Sequence, residues 1–437
     1  MVIKSKTYRN GLILVYEKNT GDNTALNIFI KTGAINEPSH LNGVSHLLEH
    51  MLFKGTKKLS KPIQISAPFD MVGANFNAYT SHEVTCYNTK CNSDDIHKLL
   101  KIFYEMMFNS SLLSKELKKE RQVVIEELLK NRDQPGRLIS EKIYSMIFKG
   151  GNLANPVGGD IQKVLEYKRK DIIDYYKYFY RPDNMVISVC SNLSWGTIDK
   201  YIGKTFGKRK NTTLKCIKYL ADYKIKYSSK RLLCINHDLE QVHITIGFRT
   251  CDINDNDYYI LKLISIILGA GNMSGLLFIK LREEAGISYA SYSNIDCFQK
   301  NGCFTIDTSV NPSKVVSSNK KGAVSLIIDI LQQLIKKGIT TKQLSNAKGY
   351  LKGQMSLQTG EISLMSDYNG YNYLFDSADK NISITDLYKK RYSSITKSQI
   401  NMALIKYFRH DNMYCCFLGK NVNKLKKKIS DELAIFK

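Results

Sequence analysis

The sequence lacks a cysteine framework, a targeting segment and a long apolar run. None of its ten cysteines belongs to a Cys-x-x-Cys pair, which argues against a cysteine zinc site, and their scatter fits reduced thiols better than a disulfide scaffold. The N-terminus shows no signal peptide or transit peptide. The longest apolar run, around Tyr258 to Ala270, is broken by Lys262 and is too short to span a bilayer. We therefore expect a soluble protein of the cytoplasm or another intracellular compartment, without a membrane partner.

Acidic residues are few beside the basic ones. The chain has 40 Asp and Glu against 64 Lys and Arg, which gives a net charge of +24. Such an excess can mark a negatively charged partner, nucleic acid above all. However, no finger, arginine-rich arm or helix-turn-helix pattern accompanies it, and abundant Lys, Asn and Ile also suit an AT-rich genome. A basic nucleic-acid-binding protein is therefore the less favoured alternative.

One five-residue segment, His46-Leu47-Leu48-Glu49-His50, places two imidazoles and a carboxylate on a predicted helix. His46 and His50 are four residues apart, so both point to one face and can bind a single metal ion. Glu49 lies one residue before the second histidine, close enough to reach a water on that metal. This His-x-x-Glu-His order is typical of inverted zinc peptidases. The alternative is two structural histidines beside a surface glutamate.

The two halves of the chain resemble each other. Residues 25–37 resemble residues 243–255 at an offset of 218, and the segment ending at Met185 is echoed by the one ending at Met413, at an offset of 228. The polar stretch between Lys208 and Arg231 is the natural linker. We predict one domain at 1–212, a linker at 213–230 and a homologous domain at 231–437.

Strand-like and helix-like segments intermingle in both halves. Strands are predicted within 77–87, 185–190, 243–248 and 303–309, and helices within 94–108, 115–131, 169–178 and 324–337. Because the two kinds do not alternate regularly, an α+β fold is favoured: two homologous α/β half-units, each a mostly antiparallel sheet with helices packed on one face. The offset of 218 carries positions 46–50 onto the apolar residues 264–268, which cannot bind a metal.

A zinc peptidase needs a third protein ligand besides the two histidines. We expect this ligand on the predicted helix at 114–131. The acidic candidates are Glu116, Glu120, Glu126 and Glu127. Glu120 and Glu127 share a face, while Glu126 is turned about 100° away. Periodicity alone does not choose among them, and an acidic helix face can also be simply solvated.

Taken together, these segments resemble the pitrilysin/insulinase family of metallopeptidases. Residues 43–56 look like the metal helix of that family, residues 73–83 like its substrate-binding edge strand, and residues 120–127 like the segment with the distal zinc ligand. The resemblance implies that His46, His50 and Glu127 bind one Zn²⁺ per chain. It implies that Glu120 supports the metal site.

The resemblance also assigns catalytic and substrate-binding residues. Glu49 would be the general base, and Arg282 and Tyr289 in the second half would donate hydrogen bonds to the substrate carbonyl or the oxyanion. Asn77 and Ala78 would bind the peptide as an added strand, and Phe53 would line the pocket for the residue after the cut. The expected function is a zinc endopeptidase that acts on extended or unfolded peptides.

The expected partners follow from the same resemblance. A two-domain chain of this length supplies half of a closed chamber, whose wall the inactive second domain completes. We therefore expect a homodimer, or a heterodimer with a related subunit, in which Arg282 and Tyr289 act on the zinc of the facing protomer. The alternative is a non-catalytic partner subunit of a processing-peptidase-like heterodimer. The intact His46, Glu49 and His50 argue against that alternative.

Overall fold

The computed structural model describes residues 2–211, 219–226, 230–271, 273–316, 321–358 and 360–436. The strands in this part of the chain are β1 (Ile3–Thr7), β2 (Ile13–Lys18), β3 (Asn23–Ile30), β4 (Asn75–Thr80), β5 (Thr85–Asn92), β6 (Met185–Ser191), β7 (Leu232–Asn236), β8 (Val242–Thr250), β9 (Ser288–Cys297), β10 (Gly302–Val310) and β11 (Met413–Gly419). The α-helices are α1 (Val44–Leu52), α2 (Pro62–Asp70), α3 (Ile96–Asn109), α4 (Ser114–Arg132), α5 (Pro135–Ile147), α6 (Ile161–Glu166), α7 (Arg169–Phe179), α8 (Trp195–Lys204), α9 (Asp257–Leu268), α10 (Ala323–Lys337), α11 (Thr341–Gln358), α12 (Ile362–Leu374), α13 (Ile384–Leu387), α14 (Lys397–Tyr407) and α15 (Val422–Leu433). A π-helical segment spans Phe278–Glu284.

The strands form two sheets with the same topology. The first has the order β1-β2-β6-β3-β5-β4 and the second the order β7-β11-β8-β10-β9. In each sheet one neighbouring pair is parallel, β2 with β6 and β7 with β11, and the other pairs are antiparallel. The predicted α+β fold of two homologous, mostly antiparallel half-units is therefore confirmed. Among the described residues, the first sheet has one strand more than the second, β1.

The two sheets also keep the same register. Ile28 on β3 lies opposite Ile187 on β6, and Ile246 on β8 lies opposite Cys415 on β11. These positions are related by the offsets of 218 and 228 that the sequence repeat shows. The segment 46–50 has its equivalent in α9, where the corresponding residues, Ile264 to Leu268, are all buried.

The prediction of one continuous strand within 77–87 is wrong, because these residues form a hairpin of two strands. β4 ends at Thr80 and β5 begins at Thr85. In between, the Ser81 N–H donates to the Val84 carbonyl over 2.7 Å, and the Ser81 hydroxyl accepts from the Val84 N–H over 3.1 Å. A serine side chain thus closes the turn, a local signal that alternation of apolar residues does not reveal.

The chain forms two compact units that are not continuous in sequence. One comprises Met1–Lys130, Asn155–Asp222 and Met355–Leu387, and the other comprises Asn131–Ala154, Tyr223–Gln354 and Tyr388–Lys437. The predicted linker at 213–230 falls partly outside the described residues. Within its described part, Tyr219 is buried in the first unit, against Tyr175 and Phe179.

Each unit includes a segment from the other half of the sequence. In the first unit, α12 packs on β2, β3 and β6, and in the second unit α5 packs on β8 and β11. The helices predicted to pack on one face of each sheet come from the same half of the sequence as that sheet. The helix from the other half, α12 or α5, covers the opposite face. A small core there contains Val15, Phe29, Cys86, Val186 and Leu374.

Glycine permits the close approach of the exchanged helix in both units. On α12, a Cβ added at Gly370 would overlap the Phe29 ring. In the second unit the glycine is on the strand: a Cβ at Gly247, the equivalent of Phe29, would lie 2.7 Å from Ile147 on α5. In the first unit the large side chain is on the strand and the glycine on the helix. In the second unit the glycine is on the strand and the large side chain on the helix, so both pairs pack closely.

Candidate metal centre

The helix α1 presents the two predicted metal-binding histidines. It buries Val44, Leu47, Leu48, Met51 and Leu52 in the core of the first unit, so its orientation is fixed by packing. His46 and His50 remain on the more open face, with side chains 13% and 21% exposed.

Glu37 fixes the start of this helix. Its carboxylate accepts hydrogen bonds from the Gly43 N–H over 2.7 Å and from the Ser45 N–H over 2.8 Å. A carboxylate at this position satisfies free N–H groups of the first turn and complements the helix dipole. Burial raises the pKa of Glu37, against the effect of these hydrogen bonds. Glu37 was not predicted from the sequence, because it precedes the helix by seven residues rather than by one.

Three side chains converge in the arrangement that a metal ion needs. Ligand atoms of His46, His50 and Glu127 all lie within 4.8 Å of one another. An oxygen of Glu127 lies 3.6 Å from His46 Nε2 and 3.5 Å from His50 Nε2. Glu127 comes from α4 and is brought opposite α1. Glu126 is not part of the cluster, so the structure places the last glutamate of the segment beside the histidines.

Glu120 supports the cluster from an earlier turn of α4. Its carboxylate lies 3.3 Å from His50 Nδ1 and 2.9 Å from Lys54 Nζ. A carboxylate on Nδ1 holds the ring so that Nε2 faces the metal position, as in many zinc proteins. Hydrogen bonds to His50 and Lys54 lower the pKa of Glu120, although its burial acts in the opposite direction. Lys54 is a supporting residue that the sequence patterns did not reveal.

The electrostatics suit a neutral ligand at His46. Burial lowers the pKa of His46 to about 4, and the neighbouring His50 adds to this shift. His46 is therefore a neutral imidazole at physiological pH, the form that coordinates metals. Burial also acts to lower the pKa of His50, but the hydrogen bond to Glu120 and the charges of Glu49 and Glu127 outweigh it.

The donor set fits zinc. Two imidazole nitrogens and one carboxylate oxygen match the ligands of catalytic zinc sites, which keep the fourth position open. His46 Nδ1 is buried and has no hydrogen-bond partner among the described residues. The negative charge of Glu127 would partly balance that of a bound divalent cation. The chemistry of the three groups thus accommodates the metal that the motif predicts.

Glu49 lies beside this cluster on the same helix. The residue is 9% exposed, and burial raises the pKa of its carboxyl group. The hydroxyl of Thr80, on β4, donates to Glu49 Oε2 over 2.5 Å. Thr80 lies within the segment 73–83 whose motif predicts the edge strand, yet the motif gives it no role. The contact joins α1 to the end of β4.

The strand β4 is an edge of the first sheet. It pairs with β5 and has no second partner strand among the described residues. Asn77 is exposed and Ala78 is half-buried, and the Ala78 N–H donates to the Asn77 side-chain oxygen over 2.8 Å. Phe53 packs against Phe76 of β4, with ring centroids 5.0 Å apart. The structure therefore places these three predicted substrate-binding residues on or against one free edge.

Arg282 and Tyr289 are brought together in the second unit. Arg282 belongs to the π-helical segment and Tyr289 to β9. The guanidinium lies 4.7 Å from the Tyr289 ring centroid, and Arg282 Nη1 donates to the Tyr289 carbonyl over 3.3 Å. Tyr289 is 77% exposed. The predicted spacing thus yields a contiguous pair, and its catalytic role stays a prediction.

None of the helices in the described part of the chain combines the length and apolarity needed to cross a bilayer.

Comparisons with known proteins agree on one family. The family "Insulinase (Peptidase family M16)" matches residues 13–161, and "Peptidase M16 inactive domain" matches residues 167–351. The uncharacterized zinc protease YmxG of Bacillus subtilis is 32% identical over 379 residues, covering 85% of this chain and 88% of the relative. An uncharacterized zinc protease of Rickettsia felis is 31% identical over 370 residues, covering 84% and 86%.

Solved structures share the fold. A protease from Helicobacter pylori superimposes with a TM-score of 0.87 at 22% identity, covering 95% of this chain and 99% of the other. A peptidase M16 inactive domain from Pseudomonas fluorescens gives 0.84 at 19% identity, covering 96% and 98%. Both likenesses span nearly the whole chain, so the two-half-unit architecture is that of M16-like peptidases.

Proposed function

Because the chain belongs to the insulinase family of peptidases, peptidase family M16, we propose that it is a zinc-dependent endopeptidase. The observation that carries the proposal is the convergence of His46, His50 and Glu127 beside the buried Glu49. The names of its relatives, uncharacterized zinc proteases, support it. Its substrates would be extended peptides or unfolded segments.

His46, His50 and Glu127 would hold one zinc ion per chain. A bound zinc ion supplies positive charge that acidifies water and polarises the scissile carbonyl. Glu120 orients His50 through Nδ1, so that its Nε2 stays directed at Glu127. The packing of α1 and the contacts of Glu37 keep the histidine pair in place before substrate arrives.

Glu49 would move the proton during peptide hydrolysis. Its carboxylate takes the proton from the attacking water and passes it to the leaving amine. Burial raises the pKa of Glu49, which makes the carboxylate a stronger base than an exposed glutamate. The Thr80 hydroxyl holds one carboxylate oxygen, leaving the other available to the water.

The free edge of β4 would bind the substrate. A peptide that adds to β4 as a strand exposes its backbone to Asn77 and Ala78, so recognition depends mainly on main-chain hydrogen bonds. The same geometry excludes folded domains, because only an extended segment can pair with a strand edge. Phe53, packed against Phe76, would line the pocket for the residue after the cut.

We further propose that Arg282 and Tyr289 assist catalysis across a dimer. They would donate hydrogen bonds to the substrate carbonyl or the oxyanion on the facing protomer, in a homodimer or a heterodimer with a related subunit. Mixing Glu49→Gln chains with Arg282→Ala chains tests this arrangement. Recovered activity in the mixture is expected, and no recovery in verified mixed dimers would contradict it.

The decisive experiment is cleavage of a quenched-fluorescent peptide library by the purified chain with zinc. We expect cleavage that is lost in Glu49→Gln and on addition of a chelator, and restored when zinc is returned. A chain that binds zinc stoichiometrically but cleaves nothing would contradict the proposal for the isolated protein. In that case a non-catalytic subunit role becomes the leading account.

A further inference from the structure

In the described part of the chain, β7 has an unpaired edge at the position where its equivalent in the first sheet, β2, is paired with β1. In the first sheet, β2 pairs with β6 on one side and with β1 on the other. In the second sheet the equivalent strand, β7, pairs with β11, and no strand among the described residues lies on its other side. Leu14 on β2 and Leu232 on β7 are equivalent, since they lie opposite Ile187 and Cys415 respectively.

The exposure of the two strands differs accordingly. Residues Leu14 to Tyr16 of β2 are all buried, whereas Leu232 to Ile235 of β7 are all half-exposed. The sequence of β7, Leu-Leu-Cys-Ile-Asn, is apolar except at its last residue. An apolar strand with an unpaired edge is a template for another chain, which proteins normally cover or protect.

Two residues of β7 direct their backbone N–H and carbonyl groups toward the unpaired edge. The Arg231 carbonyl accepts from the Cys415 N–H over 2.7 Å, so Arg231 faces β11. Because successive residues of a strand turn their polar groups to alternate sides, Leu232 and Cys234 face away from β11. In the first sheet the equivalent residues, Leu14 and Tyr16, are those opposite Lys6 and Lys4 of β1.

The helix residue beside β1 in the first sheet and the equivalent residue beside the edge of β7 have opposite charges. In the first sheet Lys6 on β1 pairs with Asp199 on α8 over 2.8 Å. α15 is the equivalent helix, with Leu425 and Ile429 at the positions of Ile198 and Ile202, a constant offset of 227. The same offset takes Asp199 to Lys426. A strand added to β7 would therefore meet a cation where β1 meets an anion.

The surroundings of Lys426 reinforce this reversal. Lys426 is exposed and has no ion-pair partner among the described residues. A cavity of about 650 Å³ lies here, and Lys230, Arg231, Leu232, His410 and Lys426 are among the residues that line it. Three of these five are Lys or Arg, so the edge of β7 is bordered by positive charge.

We propose that β7 is a docking site for an extended acidic segment of another polypeptide. The segment adds antiparallel to β7, as β1 does to β2, with an Asp or Glu opposite Leu232 that pairs with Lys426. The β1 strand of a second copy does not fit, because it carries Lys4 and Lys6. The chain before β7 is held elsewhere, since the Lys226 N–H donates to the Lys149 carbonyl over 2.6 Å.

The test uses a labelled peptide derived from the sequence of β1. In the probe, Ile-Lys-Ser-Lys-Thr is changed to Ile-Glu-Ser-Glu-Thr with short glycine ends, and its binding to the intact chain is followed by fluorescence anisotropy. Two control peptides accompany it. One keeps both lysines, and the other is acidic but N-methylated at both glutamates, which removes the N–H groups that face β7 without changing the charge.

We expect the acidic peptide to bind and both control peptides to bind at least about tenfold more weakly. Lys426→Glu should reverse the preference between the acidic and the lysine peptide. Lys427→Glu, the same charge change one position along α15, should leave it unchanged. Equal binding of the N-methylated peptide, or equal losses in the two variants, would overturn the proposal in favour of general attraction to a basic protein. Failure of the acidic peptide to bind would also overturn it.

Discussion

Thr80 on β4 donates a hydrogen bond to Oε2 of Glu49 on α1 over 2.5 Å. The contact joins two elements with different proposed tasks: the edge strand that would bind the peptide and the helix that carries the base. A substrate added to β4 would thereby be held in a fixed relation to the carboxylate. Such positioning is a recognised source of rate acceleration, since reacting groups need not be aligned afresh in each encounter.

We predict that Thr80→Val lowers kcat for peptide cleavage about tenfold, with little change in KM. Loss of a hydrogen bond to a charged group is worth about 1.5 kcal/mol or more, and the backbone edge proposed to bind the peptide is left intact. Steady-state kinetics on one peptide substrate checks this. Thr80→Ser keeps the hydroxyl and should retain most of the activity, so equal losses in both variants would contradict the role assigned to the hydrogen bond.

Zinc content distinguishes the two adjacent glutamates of α4. Glu127 lies within the cluster with His46 and His50, and Glu126 does not. We predict that Glu127→Gln reduces bound zinc well below one equivalent per chain, because a carboxylate ligand and its balancing charge are removed. Glu126→Gln should bind zinc like the unmodified chain. Elemental analysis after dialysis provides the measurement, and similar zinc contents in the two variants would contradict the assignment of Glu127.

Because of the buried Asp307, the second unit should be more stable in mild acid than at neutral pH. Burial raises the pKa of Asp307 from 3.8 to about 6, although hydroxyls of Thr245 and Thr305 donate to it over 2.6 and 2.9 Å. Between these two pH values the folded state binds a proton that the unfolded state releases, so stability falls as pH rises. The cost of ionising the buried group reaches about 3 kcal/mol above pH 6.

The variant Asp307→Asn cannot ionise and should lose this dependence. We predict that its free energy of unfolding, relative to the unmodified chain, rises by up to about 3 kcal/mol between pH 4 and pH 7. Urea unfolding at both pH values is the measurement. Asp411→Asn, at an exposed position of the same unit, serves as control. A difference between the Asp307 variant and the unmodified chain that does not change with pH would contradict the prediction.

Two glycine-to-alanine changes in helices should have opposite effects on stability. At Gly370 the added Cβ overlaps the fully buried ring of Phe29, so we predict a loss of about 1 to 3 kcal/mol. At Gly349 on α11 nothing lies within 4 Å of the added atom, and the higher helix propensity of alanine should add about 0.5 to 1 kcal/mol. Denaturant unfolding measures both. Adding Phe29→Leu to Gly370→Ala should recover part of the loss, and no recovery would argue against the clash as its cause.

Short-range patterns predicted much of the fold and part of the site. The four-residue spacing of His46 and His50 requires nothing beyond helix geometry, and the repeat predicted both the second sheet and the apolar helix α9. Periodicity did not choose the ligand among Glu116, Glu120, Glu126 and Glu127, and the family resemblance favoured Glu127. In the structure, Glu127 is the one that lies beside the histidines.

What the sequence did not reveal depends on contacts between distant residues. The Thr80–Glu49 hydrogen bond joins residues 31 apart, and the Lys54–Glu120 ion pair joins residues 66 apart. No local pattern encodes such pairs. The exchange of α5 and α12 was missed for the same reason: an amphipathic helix shows that it packs, but not which sheet it covers.

The exchange of α12 has a consequence for synthesis of the chain on the ribosome. The first sheet is fully translated once β6 emerges, yet the apolar side chains of Val15, Phe29 and Val186 are covered only after residues 362–374 have been made. During that interval of about 170 residues, an apolar sheet face is open to water. We therefore expect the nascent first half to bind chaperones, and a chain truncated before α12 to aggregate rather than fold.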